Sequence, residues 1–426
     1  MTREERRRAR EPTWLIDKDR PFSGRDSFLR LDNKSIMLLP RGPILGLCSR
    51  HSNFRLYSTK SYDPLRILFC GSDDFSIASL KALHAYHLKQ PDRIASIDVV
   101  CRPGKRVGRG LKKIREVPIK AAASDLSLPI HEIDTFTGWT PPTSINLIVA
   151  VSFGLFVPSR VLNSAKYGGL NVHPSLLPDF RGPAPLHHTL LAGRSTTGVS
   201  LQTLHLKHFD HGTVLSQTPD PGFDIPNPES CTVPELVEVV APKGAQLLVN
   251  GIKDGLFVPP VVDAGWRAAK GSDNLIHAAK IKPEDRHIDW KNWSLVDIDR
   301  RSRVLGPLWS RALVTSHPSD GTLPSFQQKR VILTDMEEVD PPKGCGSFSL
   351  VPGLPFVEGG HPLEPRKGKA LYTFTSDGKV MRINRMKVEG DQDAEGLRAA
   401  IKARMFGDRT FLSEGMEFVP FRNPLI

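Results

Sequence analysis

What the sequence lacks narrows its class before any motif is read. Cysteine is scarce, five in 426 residues (Cys48, Cys70, Cys101, Cys231 and Cys345), and no two form a C-x-x-C pair. That excludes a disulfide framework and a structural zinc knuckle, and it fits a reducing compartment. No apolar run approaches the 18 or so residues of a membrane span, so no membrane association is expected. There is no G-x-G-x-x-G, hence no reason to expect a nicotinamide cofactor. The histidines include a cluster at His187, His188, His205, His208 and His211, but no H-x-x-x-H and no carboxylate partner pattern accompanies them. No metal is expected. Internal repeats are absent as well.

What remains is an ordinary globular composition, 39% hydrophobic, in a chain too long for one core; two domains plus tails are expected. The net charge of +12 is unevenly placed. Residues 1–60 carry 14 Lys/Arg against 7 Asp/Glu, leaving 44 against 39 for the rest, so the body is not a general polyanion binder. Residues 1–36 mix both signs without helical periodicity. From Met37 to Lys60 the chain holds three Arg, one Lys, several Ser and no acid. This is the composition of a mitochondrial transit peptide, with Met37 as an alternative start.

The body is organised around G-G-L-N-V-H-P-S-L-L-P, starting at Gly168. Asn171 and His173 share one side of a short strand, because strand side chains alternate. Pro174 ends the strand, and Ser175 to Pro178 is expected to form a rigid loop. An amide and an imidazole at a strand end suit acyl transfer: one donates to a developing oxyanion, the other moves a proton. Downstream, Asp210 in D-H-G is placed to orient His173 and stabilise its charged form.

The run N-x-H-P-S-L-L-P, then R-G-P-A-P, then D-x-G about thirty residues on, resembles the formyltransferase family that uses 10-formyltetrahydrofolate. Within it, the chain is most similar to the branch acting on methionyl-tRNA. The resemblance covers roughly residues 64–310 and is looser beyond. It implies an α/β protein: an N-terminal Rossmann-like formyltransferase domain with a mostly parallel sheet, plus a smaller C-terminal β-barrel-like (OB-like) domain. It further implies transfer of a formyl group from 10-formyltetrahydrofolate to initiator methionyl-tRNA in the mitochondrial matrix, to start translation there. Tetrahydrofolate would be released, and the enzyme would work as a monomer. Asn171, His173 and Asp210 would be catalytic.

Other segments fit this frame with departures. Arg66 to Cys70 reads as a buried strand, and Gly71-Ser-Asp-Asp-Phe as its turn into a helix over about 75–88; the family turn is G-T-P-D-F, with Asp73 here in place of proline. Further strands are expected at 97–101, 129–130, 145–152, 198–204 and 213–217, with helices at 119–124, 185–191 and 233–249. The run 145–152 ends in Phe153-Gly154-Leu155, where the family usually shows A-Y-G. Those three residues, with Ser175, Leu176, Leu177 and Pro178, are the expected pocket for the pterin. Between Arg102 and Glu116 stand seven positive residues, one negative and three glycines, a loop unable to pack and suited to a polyanion. In the family the matching loop, with its G-R-G core, meets the acceptor arm. Arg102, Lys105, Arg106, Arg109, Lys112 and Lys113 are therefore the expected tRNA contacts, with Lys105 at a position usually Arg.

The expected layout is a leader (1–60), a catalytic domain (61–265), a linker (266–290) and a C-terminal tRNA-binding domain (291–426). The linker resembles the family's A-x-K-x-x-x-E-x-x-I-D-W segment, whereas Gly306-Pro-Leu-Trp309 stands where the family has a Pro-Trp-Pro-like turn. Short strands near 330–333, 370–374 and 379–386 suggest the small barrel, with insertions at 316–325 and 341–368. Glycinamide-ribonucleotide or amino-sugar formyltransferases and a formyl-folate hydrolase share the core motif but need no basic loop. A silent RNA-binding protein would not need the intact Asn171, His173 and Asp210.

Overall fold

The computed structural model describes residues 60–142, 145–269, 274–316, 325–342, 352–353, 355–357, 370–403 and 405. The expected leader (1–60), apart from Lys60, and most of the two expected insertions lie outside the described residues.

The first half begins with β1 (Leu65–Gly71), buried at all but one position. A strand apolar on both faces belongs in the middle of a parallel sheet. Its even and odd residues divide cleanly: Leu65, Ile67 and Phe69 enter one core, Leu68 and Cys70 the other. Asp73 caps α1 (Asp74–Lys89), its carboxylate accepting the Ser76 N–H at 3.1 Å. The chain continues as β2 (Ile94–Cys101), β3 (Lys105–Val107), β4 (Lys113–Arg115), α2 (Pro118–Asp125), β5 (Ile130–Glu132) and β6 (Leu147–Val151). Then follow α3 (Ser159–Leu162), β7 (Gly169–His173), α4 (Pro185–Leu191), β8 (Thr196–Thr197), β9 (Ser200–Thr203), β10 (Val214–Gln217), β11 (Phe223–Asp224) and α5 (Val233–Lys253).

Seven of these strands form one sheet in the order β10-β9-β7-β6-β1-β2-β5. The five strands from β7 to β5 are parallel, and β9 and β10 add on antiparallel. The mostly parallel sheet expected from the sequence is therefore present. From β1 the chain moves outward to β2 and β5, then crosses back to β6 on the other side. That reversal leaves a crevice at the carboxyl ends of β1 and β6, where open α/β sheets bind ligands.

The second half contains α6 (Trp266–Ala269), α7 (Leu295–Leu305), β12 (Leu308–Ser316), β13 (Ser325–Val339), β14 (Pro355–Val357), β15 (Leu371–Phe374), β16 (Val380–Val388), β17 (Ala394–Glu395) and α8 (Gly396–Lys402). The strands make an antiparallel sheet, β12-β13-β16-β15-β14 with β17 on β16. Where the sequence suggested a short strand at 330–333, β13 is 15 residues long. Its first part pairs with β12 and its second with β16, and the register breaks between Leu333 and Met336. Such breaks bend a strand and deepen its twist, so the sheet curls. The two halves are joined through α7: Leu295 and Ile298 enter the core under this sheet, while Val304 and Leu305 enter the core of the first half.

Candidate active site

Strand β7 places Asn171 half-buried and His173 buried at its carboxyl end. Neighbouring β9 sets Gln202 directly opposite Asn171. The loop after β9 returns Asp210 to the same spot in a left-handed conformation, φ +55°. Two residues on, a Cβ on Gly212 would stand 1.6 Å from the Thr203 carbonyl oxygen. Only glycine lets the loop lie this close, which gives the D-x-G spacing its physical reason.

Asp210 is the hub of the site. Its Oδ1 accepts from Asn171 Nδ2 at 3.0 Å and Gln202 Nε2 at 3.1 Å, and faces His173 Nδ1 at 3.4 Å. Its Oδ2 accepts the Gly182 N–H at 3.0 Å. An ionised carboxylate only accepts, so these contacts fix the orientation of both amides. Burial raises the Asp210 pKa, but the His173 charge, its hydrogen bond and the Gly182 and Gln202 donors overcome this, and the net displacement is downward. For His173 burial disfavours the cation, yet the Asp210 charge and hydrogen bond, with the Phe180 carbonyl, prevail and raise it. His173 Nε2 donates to Phe180 O at 2.9 Å. An acceptor at each ring nitrogen supports the charged form against the effect of burial.

The sequence did not signal how the linker enters this arrangement. The Phe180 N–H donates to Ile276 O at 2.8 Å, and the Ala278 N–H to Arg181 O at 2.7 Å. The segment 276–278 thus runs along the signature loop and holds the carbonyl that His173 contacts. A Cβ on Gly182, whose φ is +122°, would meet the Ala278 carbonyl at 2.4 Å, so R-G-P requires its glycine. Arg181 Nε donates to Asp210 O at 2.8 Å, and Asp179 accepts the Ile276 N–H at 2.9 Å.

Asn171, His173 and Asp210 line a cavity of about 610 Å³ with Phe153, Gly154 and Leu155. Phe153 has both roles open to it in the sequence: it lines the cavity, and it packs edge-on against Phe136 in a core. Ser175, Leu176, Leu177 and Pro178 do not line it. Their polar groups bond within the fold. Ser175 Oγ donates to Asp179 O, Ser200 Oγ donates to Ser175 O, and the Leu177 N–H donates to Ser200 Oγ. The loop turns inward and braces β7 against β9. Asp73, Phe156, Phe209 and Gln202 also line the cavity. Burial raises the Asp73 carboxyl despite the Ser76 and Ser152 hydrogen bonds.

The basic segment is also more ordered than its composition implied. Strands β3 and β4 pair antiparallel across a tight turn at Arg109–Leu111, flanked by Gly108 and Gly110 at φ +81° and +75°. Lys105, Arg106, Lys112 and Lys113 are exposed, as are Leu111 and Ile114, whereas Arg102 pairs with Asp134 at 3.0 Å. The hairpin presents its cations together, apart from Arg102, which is partly committed at its base.

Among the described residues, no three His, Cys, Asp or Glu side chains converge as a metal site, and no helix is long and apolar enough to cross a membrane. Residues 65–223 match the family described as formyl transferase. The chain is 30% identical over 322 residues to methionyl-tRNA formyltransferase of Cereibacter sphaeroides, covering 71% of this chain and 95% of that protein. It is 32% identical over 284 residues to the mitochondrial methionyl-tRNA formyltransferase of Saccharomyces cerevisiae, covering 58% and 69%. With the mitochondrial enzyme of Homo sapiens it shares 32% over 246 residues, 57% of each.

Proposed function

This chain belongs to the methionyl-tRNA formyltransferase family and is an enzyme that transfers a formyl group; on that premise we propose that it carries the formyl group of 10-formyltetrahydrofolate to the α-amino group of initiator methionyl-tRNA in the mitochondrial matrix, for initiation of translation there. The observation that carries this reading is the Asp210 carboxylate, which holds Asn171 and His173 side by side at the wall of a cavity large enough for a folate headgroup.

In the reaction the amine nitrogen bonds to the formyl carbon, and the carbonyl oxygen becomes an oxyanion. The bond from carbon to N10 then breaks, N10 takes a proton, and the amine nitrogen gives one up. Asn171 Nδ2 spends one hydrogen on Asp210 and keeps a second for the oxyanion. His173, with both ring nitrogens facing acceptors, supplies a fixed positive charge beside the same oxygen. An imidazolium has no lone pair with which to take a proton, so the proton-moving role expected of His173 would here be that of a donor. Asp210 keeps that charge in place and orients both partners.

The exposed basic hairpin supports a tRNA acceptor over a small-molecule one, because phosphates need such clustered cations. The C-terminal sheet, read as the second tRNA-binding part, and import directed by residues 37–60 belong to the same proposal. Two relatives named as mitochondrial enzymes support the location. The test is purified enzyme with labelled 10-formyltetrahydrofolate and either charged initiator tRNA, amino-sugar nucleotides or glycinamide ribonucleotide. Formyl-methionyl-tRNA as the sole labelled product is expected; label in a small acceptor, or free formate without tRNA, would overturn the reading.

A further inference from the structure

We infer that Gln202 is a further positioning residue of this site, holding the Asp210 carboxylate in the orientation that faces His173. Gln202 is 1% exposed and lies on β9, directly across from Asn171. Its Nε2 donates to Asp210 Oδ1 at 3.1 Å, the same oxygen that Asn171 and His173 face. Its other end is unsatisfied: Oε1 is buried without a hydrogen-bond partner. An unpaired buried carbonyl is unfavourable, and methionine, of similar length, would fill the space without it. The amide therefore serves the fold poorly at Oε1, and its value lies in the N–H it gives to the carboxylate. Cross-strand pairing explains the precision: Asn171 and Gln202 form an amide clamp whose two halves are set by strand register.

Other charged groups surround the pair. Arg181 faces both residues from the signature loop and opposes the His173 charge. His205, His208 and His211 lie on the loop that carries Asp210, while Asp73, His187 and His277 come from the cap of α1, from α4 and from the linker. None of these donates to Oδ1, so the Gln202 contribution is separable from theirs.

The inference rests on the site as read under Proposed function, and its test has a readout independent of turnover. The His173 ring is titrated by NMR in full-length wild type, Gln202→Met and Gln202→Glu, beside kcat, KM and thermal melts. Without the Gln202 donor the carboxylate is free to turn away from His173, and the His173 midpoint should fall by about one pH unit in Gln202→Met. With it, kcat should fall on the order of tenfold, while KM for methionyl-tRNA and formyl donor stays within about twofold. Gln202→Glu can present the shared carboxyl proton as a donor, or add negative charge, so its midpoint should equal or exceed that of wild type. An unmoved midpoint in Gln202→Met, or equal falls in both variants, overturns the inference. If Gln202→Met does not fold, a midpoint below wild type in Gln202→Glu overturns it alone. Shifted midpoints in an enzyme that formylates some other acceptor would leave Gln202 as assigned and remove the acceptor reading instead.

Discussion

Replacing Asp210 by asparagine isolates the charge at the centre of the site while keeping its shape. The asparagine carbonyl can stay where Oδ1 receives Asn171, Gln202 and His173, but its amide then points N–H groups at the Gly182 N–H. One donor is left facing another, and His173 is left buried without a counter-charge. Breaking a buried pair in this way removes about 3–5 kcal/mol of stability. Burial, which opposes the cation, then prevails, and the ring is neutral near pH 7. Turnover should fall on the order of 10²–10³, the effect of losing one oxyanion-stabilising group, while folate affinity holds. The pH dependence carries a second signature. His173, raised on folding, stabilises the fold fully below about pH 6.5, and this fades as pH climbs through its folded value. Asp210, depressed on folding, contributes fully above about pH 3.9 and loses this as pH falls through its folded value. The stability gap between wild type and Asp210→Asn should be widest between about pH 4 and 6.5. Urea melts across pH, with single-turnover formyl transfer, measure both. Turnover within tenfold of wild type, or a gap that does not vary with pH, refutes the argument.

Three further outcomes are expected. Gly212→Ala puts a methyl group where the Thr203 carbonyl oxygen stands, so the loop must shift and Asp210 with it; a stability loss of about 2–4 kcal/mol and near-complete loss of turnover are expected, and a denaturation midpoint like wild type's would contradict this. Arg109→Ala, between two positive-φ glycines at the hairpin tip, should weaken methionyl-tRNA binding and flatten the log K against log salt slope by about 0.7–0.9 without changing folate affinity; lowered folate affinity alone would assign the hairpin to the donor. N-terminal sequencing of protein from isolated mitochondria should find a start near Ser58–Ser61, and a start at Met1 or Met37 would rule out cleavage.

Much of this was legible in the sequence because it rests on short-range rules. The alternation that pairs Asn171 with His173, the apolar run of β6 and the turn before α1 are properties of adjacent residues. The chemistry that was missed depends on contacts far apart in the chain. Gln202 reads as one more position in an alternating strand until register sets it against Asn171. The Ser175–Pro178 loop shows its prolines in the sequence, but not that Ser200, about 25 residues later, braces it from within. The surroundings of His173 were hidden for the same reason, since the Phe180 carbonyl that faces Nε2 is held by a linker nearly a hundred residues away.

That linker has a practical bearing on where the protein can be cut. A chain stopped at residue 265 would contain every side chain of the proposed chemistry and would still be incomplete. It would lack the main-chain partners of Phe180, Arg181 and Ala184, supplied by Ile276 and Ala278. It would also lose Val304 and Leu305, the end of the helix that plugs the first core. Catalytic half and sheet half are therefore stitched by the same few residues that finish the reaction centre, so the severed half should be a poor fragment rather than a minimal enzyme. The two should melt in one transition.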